Sequence, residues 1–267
     1  MRHRLKQDTR YYVDSLHGNN SNNGLIRECA FKTLQGAWDW VYSEIDAHLH
    51  SVEFFLVNSG APYSGVIAAY QIPGLPHDYG VRFTGELDAA GHVCTLVEDS
   101  SAGCFHIAGG CQVYIRNVAV RSHNGAQSIK AAYHGSVFLD NMVFYGADGA
   151  ALIEAGPVYS RVEINSPFWV HNLGTAGSAI LSAYDTGSIT VPAQATCTIQ
   201  GNPYFSFSTV AVSDRGKMQV RCPFVGDARG RRWTTQSDGM ILTGRDLDSY
   251  IPGDAPGSSL DGTGLRL

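Results

Sequence analysis

Val113-Tyr114-Ile115-Arg116-Asn117-Val118-Ala119-Val120 is answered by Val137-Phe138-Leu139-Asp140-Asn141-Met142-Val143-Phe144 and by Val162-Glu163-Ile164-Asn165-Ser166-Pro167-Phe168-Trp169. Met218-Gln219-Val220-Arg221-Cys222-Pro223-Phe224-Val225 repeats the phrase, and Cys197-Thr198-Ile199-Gln200-Gly201-Asn202-Pro203-Tyr204 is a looser copy, so the starts lie 24, 25, 35 and 21 residues apart. Each phrase alternates apolar and polar residues, passes a small or amide residue and turns apolar again, which describes strand, bend, strand. A weaker strand precedes each copy, at residues 105–108, 129–132, 151–154, 179–182 and 210–213, and Gly110, Gly135, Gly156, Gly187 and Gly216 follow these in turn.

One such unit cannot bury its own inward row. Units stacked about 4.8 Å apart can, because each backbone group then pairs with the coil above or below. The spacing therefore predicts an all-β chain folded as a single-stranded, right-handed parallel β-helix. Its expected inward ladders are Val113/Val137/Val162/Cys197/Met218 and Ile115/Leu139/Ile164/Ile199/Val220. Asn117 and Asn141 fall at the bend, where an amide tolerates left-handed angles and bonds its neighbour in the stack. A β-sandwich also spaces its strands regularly, but it does not need one phrase five times.

Ala30, Leu34, Ala37, Trp38, Val41 and Ile45 share one helical face, so an amphipathic helix is expected just ahead of the coils, covering the open end of the first. Trp38 and Trp40 read as packing in that cap. The expected organisation is an arm, strand and capping helix over residues 1–50, the β-helix over 51–245, and a tail over 246–267. That tail is too poor in apolar residues for a core of its own and is expected to order against the coils or a neighbouring subunit.

With 267 residues, 44% of them hydrophobic and 16% charged, the chain can fill one elongated core. A net charge of -5 speaks against nucleic acid as the main partner. No apolar run approaches a membrane span, and polar residues follow Met1-Arg2-His3-Arg4-Leu5-Lys6, so neither membrane insertion nor a secretory signal is expected. Six cysteines show neither CxxC nor zinc spacing and read as reduced, packed thiols; no metal or cofactor is expected. The stretch 19–24 lacks the carboxylates of a calcium loop and reads as Asx turns.

Val13-Asp14-Ser15, Gly18-Asn19, Asn23-Gly24-Leu25 and Ala30-Phe31-Lys32-Thr33-Leu34-Gln35 with Ala37 resemble the opening of tail-associated β-helix proteins of bacteriophages, in the pectin-lyase-like group. Ile251-Pro252-Gly253-Asp254-Ala255-Pro256-Gly257 with Gly262-Thr263-Gly264 is similar to the Pro-Gly and Gly-rich segments that end related tail proteins. The resemblance covers about sixty residues at the ends of the chain. It implies a virion component of tailspike or tail-fibre type, trimeric, contacting other tail proteins and the host surface. Three roles fit it: a structural spike, a module that binds bacterial surface polysaccharide, and a depolymerase that cuts it.

Cutting needs two carboxylates across a glycosidic bond. Asp140 and Glu163 are the candidate pair, predicted to face outward from adjacent coils, and Tyr114 and Phe138 are the candidate sugar platforms beside them. A solvated face is the plainer account of the two acids, since alternation places polar residues outward there anyway. Arg231, Arg232 and Trp233 form a second candidate grip, for an anionic glycan. Arg2, Arg4, Lys6 and Arg10 mark the N-terminal arm as a docking element. His106, His123, His134 and His171 sit at no recognisable catalytic spacing, and no GxSxG or HExxH occurs.

Overall fold

Alternation sends every second side chain inward, and inward rows become ladders only if all strands run parallel and in register. In the computed structural model, which describes residues 2–75, 80–99, 102–123, 125–147, 149–171, 177–262 and 265–266, they do. A ten-stranded sheet (sheet I) runs from Thr9–Val13 to Leu265–Arg266, a seven-stranded sheet (sheet II) from Tyr63–Ser64 to Phe224–Val225, and an eight-stranded sheet (sheet III) from Val66–Ala68 to Ser258–Ser259. Among the described residues, seven successive coils each place one strand in all three sheets. The chain is a parallel β-solenoid with a small N-terminal helix.

Val81, Val113, Val137, Val162, Ile189, Met218 and Ile241 form one inward ladder of sheet I, and Tyr11, Phe54, Phe83, Ile115, Leu139 and Ile164 form its neighbour. All are buried. Burial of each aliphatic or aromatic side chain is worth roughly 1.5–3 kcal/mol, against about 0–1 kcal/mol for an exposed ion pair, so the ladders hold the fold.

Ile199 pairs with Val170 in sheet II and is not on the second ladder, and Cys197 is not on the first. It lies in sheet II, paired with Phe168 and Phe224, and the sheet I strand of its coil is Ser188–Val191. Both stretches alternate, and periodicity alone does not say which sheet a strand joins. The sheet I starts are therefore 24, 25, 27, 29 and 23 residues apart, taken from Val113 to Val137, Val162, Ile189, Met218 and Ile241. The long interval after Val162 is no insertion, since Phe168–His171, Ala179–Ala183 and Ser188–Val191 fill it; residues 172–176 lie outside the described residues.

Two corners repeat. Between sheets I and II, Asn117 (φ 57°) and Asn141 (φ 51°) take the left-handed conformation, and Asn141 Nδ2 donates to Asn117 Oδ1 at 2.8 Å, the expected amide stack. Between sheets III and I, two consecutive residues have positive φ: Tyr133 and His134, Asp185 and Thr186, Asp214 and Arg215, Ser237 and Asp238. The following glycine N–H closes each turn, as from Gly187 to the Tyr184 carbonyl at 2.8 Å. Left-handed non-glycine residues cost about 1–2 kcal/mol each, and hydrogen bonds between turns offset this, among them Tyr133 N–H to Pro157 O at 2.8 Å and Arg215 N–H to Ser237 O at 2.9 Å. A Cβ on Gly187 would lie 2.1 Å from the Ala155 carbonyl of the coil beneath, so only glycine fits there.

The capping helix is Leu34–Glu44, begun by Thr33, whose hydroxyl accepts from Gly36 N–H at 3.0 Å. Trp38 is buried and stacks on Phe83 (6.2 Å, 18°) beside Phe54, while Trp40 meets Tyr11 and Phe31, so both indoles are cap packing. Residues 19–24 are Asx turns: Asn19 Oδ1 accepts from Ser21 N–H and Asn23 Oδ1 from Leu25 N–H. Four of the six free cysteines are buried, and Cys29 and Cys94 are half-buried.

At the other end the tail orders on its own coils. Leu247 and Ile251 are buried, Ser258 and Ser259 pair with Thr234 and Thr235, and Leu265–Arg266 extends sheet I. Thr263 and Gly264 lie outside the described residues.

Candidate functional site

The outward face of sheet I carries the first predicted set. In register, Tyr114 lies beside Phe138 and Phe138 beside Glu163, while Arg116 lies beside Asp140. Tyr114, Phe138 and Asp140 line one recess of about 350 Å³, together with Arg82, Arg116 and Asn165. Glu163 stands one coil on and two residues back from Asp140, so strand spacing and rise separate the two Cα atoms by about 8 Å. Its carboxylate is ion-paired with Arg161.

The two rings do not form an open platform. They stack on each other, with centroids 4.5 Å apart and planes at 14°, and the Arg161 guanidinium lies 5.8 Å from the Phe138 centroid. One neighbour of the recess is already satisfied: Glu53 accepts from Thr84 Oγ1 at 2.6 Å and Arg10 Nε at 2.8 Å, with Arg116 Nη2 3.6 Å away.

Burial alone would raise the Glu53 carboxyl, but the Thr84 and Arg10 hydrogen bonds and the two guanidinium charges outweigh it and hold it below its ordinary 4.5. A lowered carboxyl contributes stability above that value and loses it as pH falls through the lowered one. Glu53→Gln is therefore expected to cost about 1 kcal/mol at pH 7 and to flatten the acid loss below pH 4.5, as read from urea titrations between pH 3 and 6. Parallel curves for the two proteins would contradict this.

The second predicted set is covered by the tail. Trp233 is buried to 1% exposure and donates its indole N–H to Asp248 Oδ1 at 2.9 Å. A Cβ on Gly257 would lie 2.0 Å from that indole, so the tail backbone closes over the ring. Trp233 is a core residue and offers no face to a sugar. Arg231 bridges Ala255, and Arg232 N–H donates to the Ala255 carbonyl; both side chains are half-buried.

Sheet II holds a groove that the sequence did not single out. Its outward rows are Leu96, Ala119, Val143, Trp169 and Thr198, and Glu98, Arg121, Tyr145, His171 and Gln200. Trp169, Tyr145, His171, Asn141 and Gln200 line a cleft of about 410 Å³, whose wall is the turn from Asp88 to His92. Asp88 Oδ1 fixes that turn by accepting from Ala90 N–H at 2.9 Å and His92 N–H at 2.8 Å.

A recess of about 280 Å³, sharing Val93 and Tyr145, continues the cleft toward Arg121, which is ion-paired with Glu98. The Tyr145 and His171 rings lie 5.2 Å apart at 35°. Ring faces flanked by imidazole, amide and guanidinium donors match a sugar's apolar CH face and equatorial hydroxyls. The signal was present in Phe168-Trp169-Val170-His171, whose alternation turns Trp169 and His171 outward.

No family model matches this chain, and neither a curated protein nor a solved structure matches it.

Sheet III carries the third polar group. His106, Lys130 and Glu154 are in register. Glu154, 8% exposed, receives Lys130 Nζ at 3.1 Å, Gln127 Nε2 at 2.9 Å and Tyr184 OH at 3.2 Å. Burial first, and the Lys130 charge second, hold His106 below its ordinary 6.5. Among the described residues, no group of three or more His, Cys, Asp or Glu side chains is placed to hold a metal.

Proposed function

We propose that this chain is an adhesive, structural β-solenoid of a bacteriophage tail, binding bacterial surface polysaccharide along sheet II. The observation that carries the binding half is the cleft built on Trp169, Tyr145 and His171, which stand on adjacent strands of a hydrogen-bonded sheet and are thus held without a mobile loop. The tail assignment rests on the resemblance of the opening from Val13 to Ala37 to phage β-helix proteins, which also supports a homotrimer docked on other tail proteins. Light scattering of the purified protein tests the trimer.

Trp169→Ala is expected to weaken retention on an immobilised surface polysaccharide about two- to tenfold, since one stacked ring is worth roughly 0.5–1.5 kcal/mol. Its effect on the unfolding midpoint should be small, because the side chain faces outward. Affinity electrophoresis against a panel of bacterial polysaccharides reads both the retention and its loss. Retention that Trp169→Ala leaves unchanged would move the glycan away from sheet II.

Depolymerisation is the alternative, and it would use the sheet I recess. Asp140 lines it beside Arg116, but Glu163 stands outside it and is tied to Arg161. Size-exclusion profiles of the same polysaccharides after incubation separate the two: shortening abolished by Asp140→Asn would establish cleavage.

A further inference from the structure

Along the turns between sheets III and I, equivalent residues of successive coils form an edge, and one coil leaves a gap in it. Ala68, Ile107 and Ala131 are in register, so Tyr70, Gly109 and Tyr133, each two residues further on, occupy the same place in three successive coils. Gly109 and Gly110, with φ 61° and 77°, make the middle turn, where the next two coils carry Tyr133 with His134 and Val158 with Tyr159. A Cβ on Gly109 would lie 2.0 Å from the Ala69 carbonyl, so glycine is required there. A Cβ on Gly110 would meet nothing within 4 Å, although its counterparts one and two coils on, His134 and Tyr159, carry full rings.

Rings stand on both sides of that gap. Tyr70, 65% exposed, stacks on Tyr42 of the capping helix at 5.6 Å and 29°. Tyr133 is 55% exposed, and next to it His134 stacks on Tyr159 at 5.9 Å and 20°. Backbone bonds hold the Tyr133 side in place: Gly110 N–H donates to the Tyr133 carbonyl at 3.3 Å and Tyr133 N–H to the Pro157 carbonyl at 2.8 Å. Tyr70 and Tyr133 are two coil spacings apart, about 9.6 Å along the axis. Stacked rings approach to about 4.5 Å between centroids, so the gap admits one ring between two others and no thicker body. Residues 69–72, 108–111 and 132–135 contain no Asp, Glu, Lys or Arg, so nothing in the three turns selects for charge.

We infer that the notch at Gly109 and Gly110 holds a single neutral sugar ring between Tyr70 and Tyr133. A pyranose carries CH groups on both faces and hydroxyls around its edge, which suits a slot walled by phenol rings and rimmed by phenol and imidazole groups. The face of a folded partner does not enter a gap one coil high; only a single projecting ring would. The notch shares no residue with the sheet II cleft, so Trp169→Ala separates binding at the two places.

The probe is a panel of neutral methyl glycosides of galactose, glucose, mannose, rhamnose and N-acetylglucosamine, read by saturation-transfer NMR on the full-length protein. At least one is expected to receive saturation, and Trp169→Ala should leave its affinity unchanged. Gly110→Asn fills the notch with a residue that takes left-handed angles, so it should weaken binding at least tenfold and leave the unfolding midpoint in place. Tyr70→Ala and Tyr133→Ala, at exposed positions, should each weaken it about two- to tenfold and test the notch independently of the glycine. No saturation of any glycoside, binding that Trp169→Ala abolishes, or binding that Gly110→Asn and both tyrosine variants leave unchanged would overturn the proposal. So would a self-association of the chain that Gly110→Asn dissolves, which would give the notch to a ring of a second copy.

Discussion

Phe83→Ala is expected to cost about 3–5 kcal/mol and to lower the melting midpoint by about 10 °C, the largest loss from any single core truncation near the N-terminal end. The ring is wholly buried. It stacks on Phe54 of the preceding coil at 5.0 Å and 23°, on Trp38 of the capping helix at 6.2 Å and 18°, and meets Phe105 of sheet III edge-on at 5.4 Å. One side chain therefore joins the cap, two coils and two sheets. Its neighbours cannot close the cavity, because Phe54 and Phe105 sit on strands whose register is fixed by flanking coils.

In a solenoid each coil is supported only by its neighbours, so loosening the second coil also loosens the cap. The outward control on the same sheet is Tyr12→Ala. Tyr12 touches Phe55 edge-on at 5.8 Å and is only half-buried, so its loss should stay near 1 kcal/mol. Urea unfolding of the two variants measures the contrast; a Phe83→Ala loss no larger than that of Tyr12→Ala would deny Phe83 its joining role.

Those same ladders were the legible part of the sequence. Val113, Val137 and Val162 share a row because period-two alternation and a near-constant interval leave one register that buries the apolar set. The Asn117–Asn141 bond was legible for a similar reason, since few residues other than asparagine both adopt left-handed angles and reach the next coil. Cys197 shows where periodicity stops. Its strand alternates as the sheet I strands do, and only corner chemistry tells the sheets apart.

That chemistry stands in the sequence as Asp185-Thr186-Gly187, Asp214-Arg215-Gly216 and Ser237-Asp238-Gly239, the turns from sheet III to sheet I. Counting from them places Ser188–Val191 correctly.

The candidate sites were less legible, because function here depends on what lies one coil away on each of three faces. Alternation put Tyr114 and Phe138 outside, but not that they would stack on each other with Arg161 beside them. Trp233 stands next to two arginines in sequence, yet a tail segment from Asp248 to Gly257 closes over it, a contact spanning 15 to 24 residues that no local pattern encodes. Trp169 became a candidate only once Val143, Thr198 and the turn at His92 were placed around it.

Lys130→Met is expected to cost about 3 kcal/mol, nearly all of it regained in Lys130→Met/Glu154→Leu. Glu154 keeps only about a tenth of its side chain in solvent and Lys130 about a fifth, so each charge relies on the other and on Gln127 and Tyr184 more than on water. Removing Lys130 leaves a nearly buried carboxylate with two neutral donors, the situation in which a single truncation costs more than the pair contributes. Removing both ends takes the desolvation cost away with the attraction, and the double-mutant cycle isolates the difference.

His106 adds a pH signature. Its lowered value means that the unfolded chain binds a proton the folded one refuses, so stability falls as pH drops below about 6.5. Lys130→Met removes the second of the two causes and leaves burial, so this acid slope should shrink without vanishing, while His106→Gln should abolish it. Urea midpoints at pH 5, 6 and 7 for the four proteins decide the matter: a double variant no more stable than Lys130→Met would show that Glu154 does not depend on Lys130, and an unchanged slope in Lys130→Met would show that the charge does not reach His106.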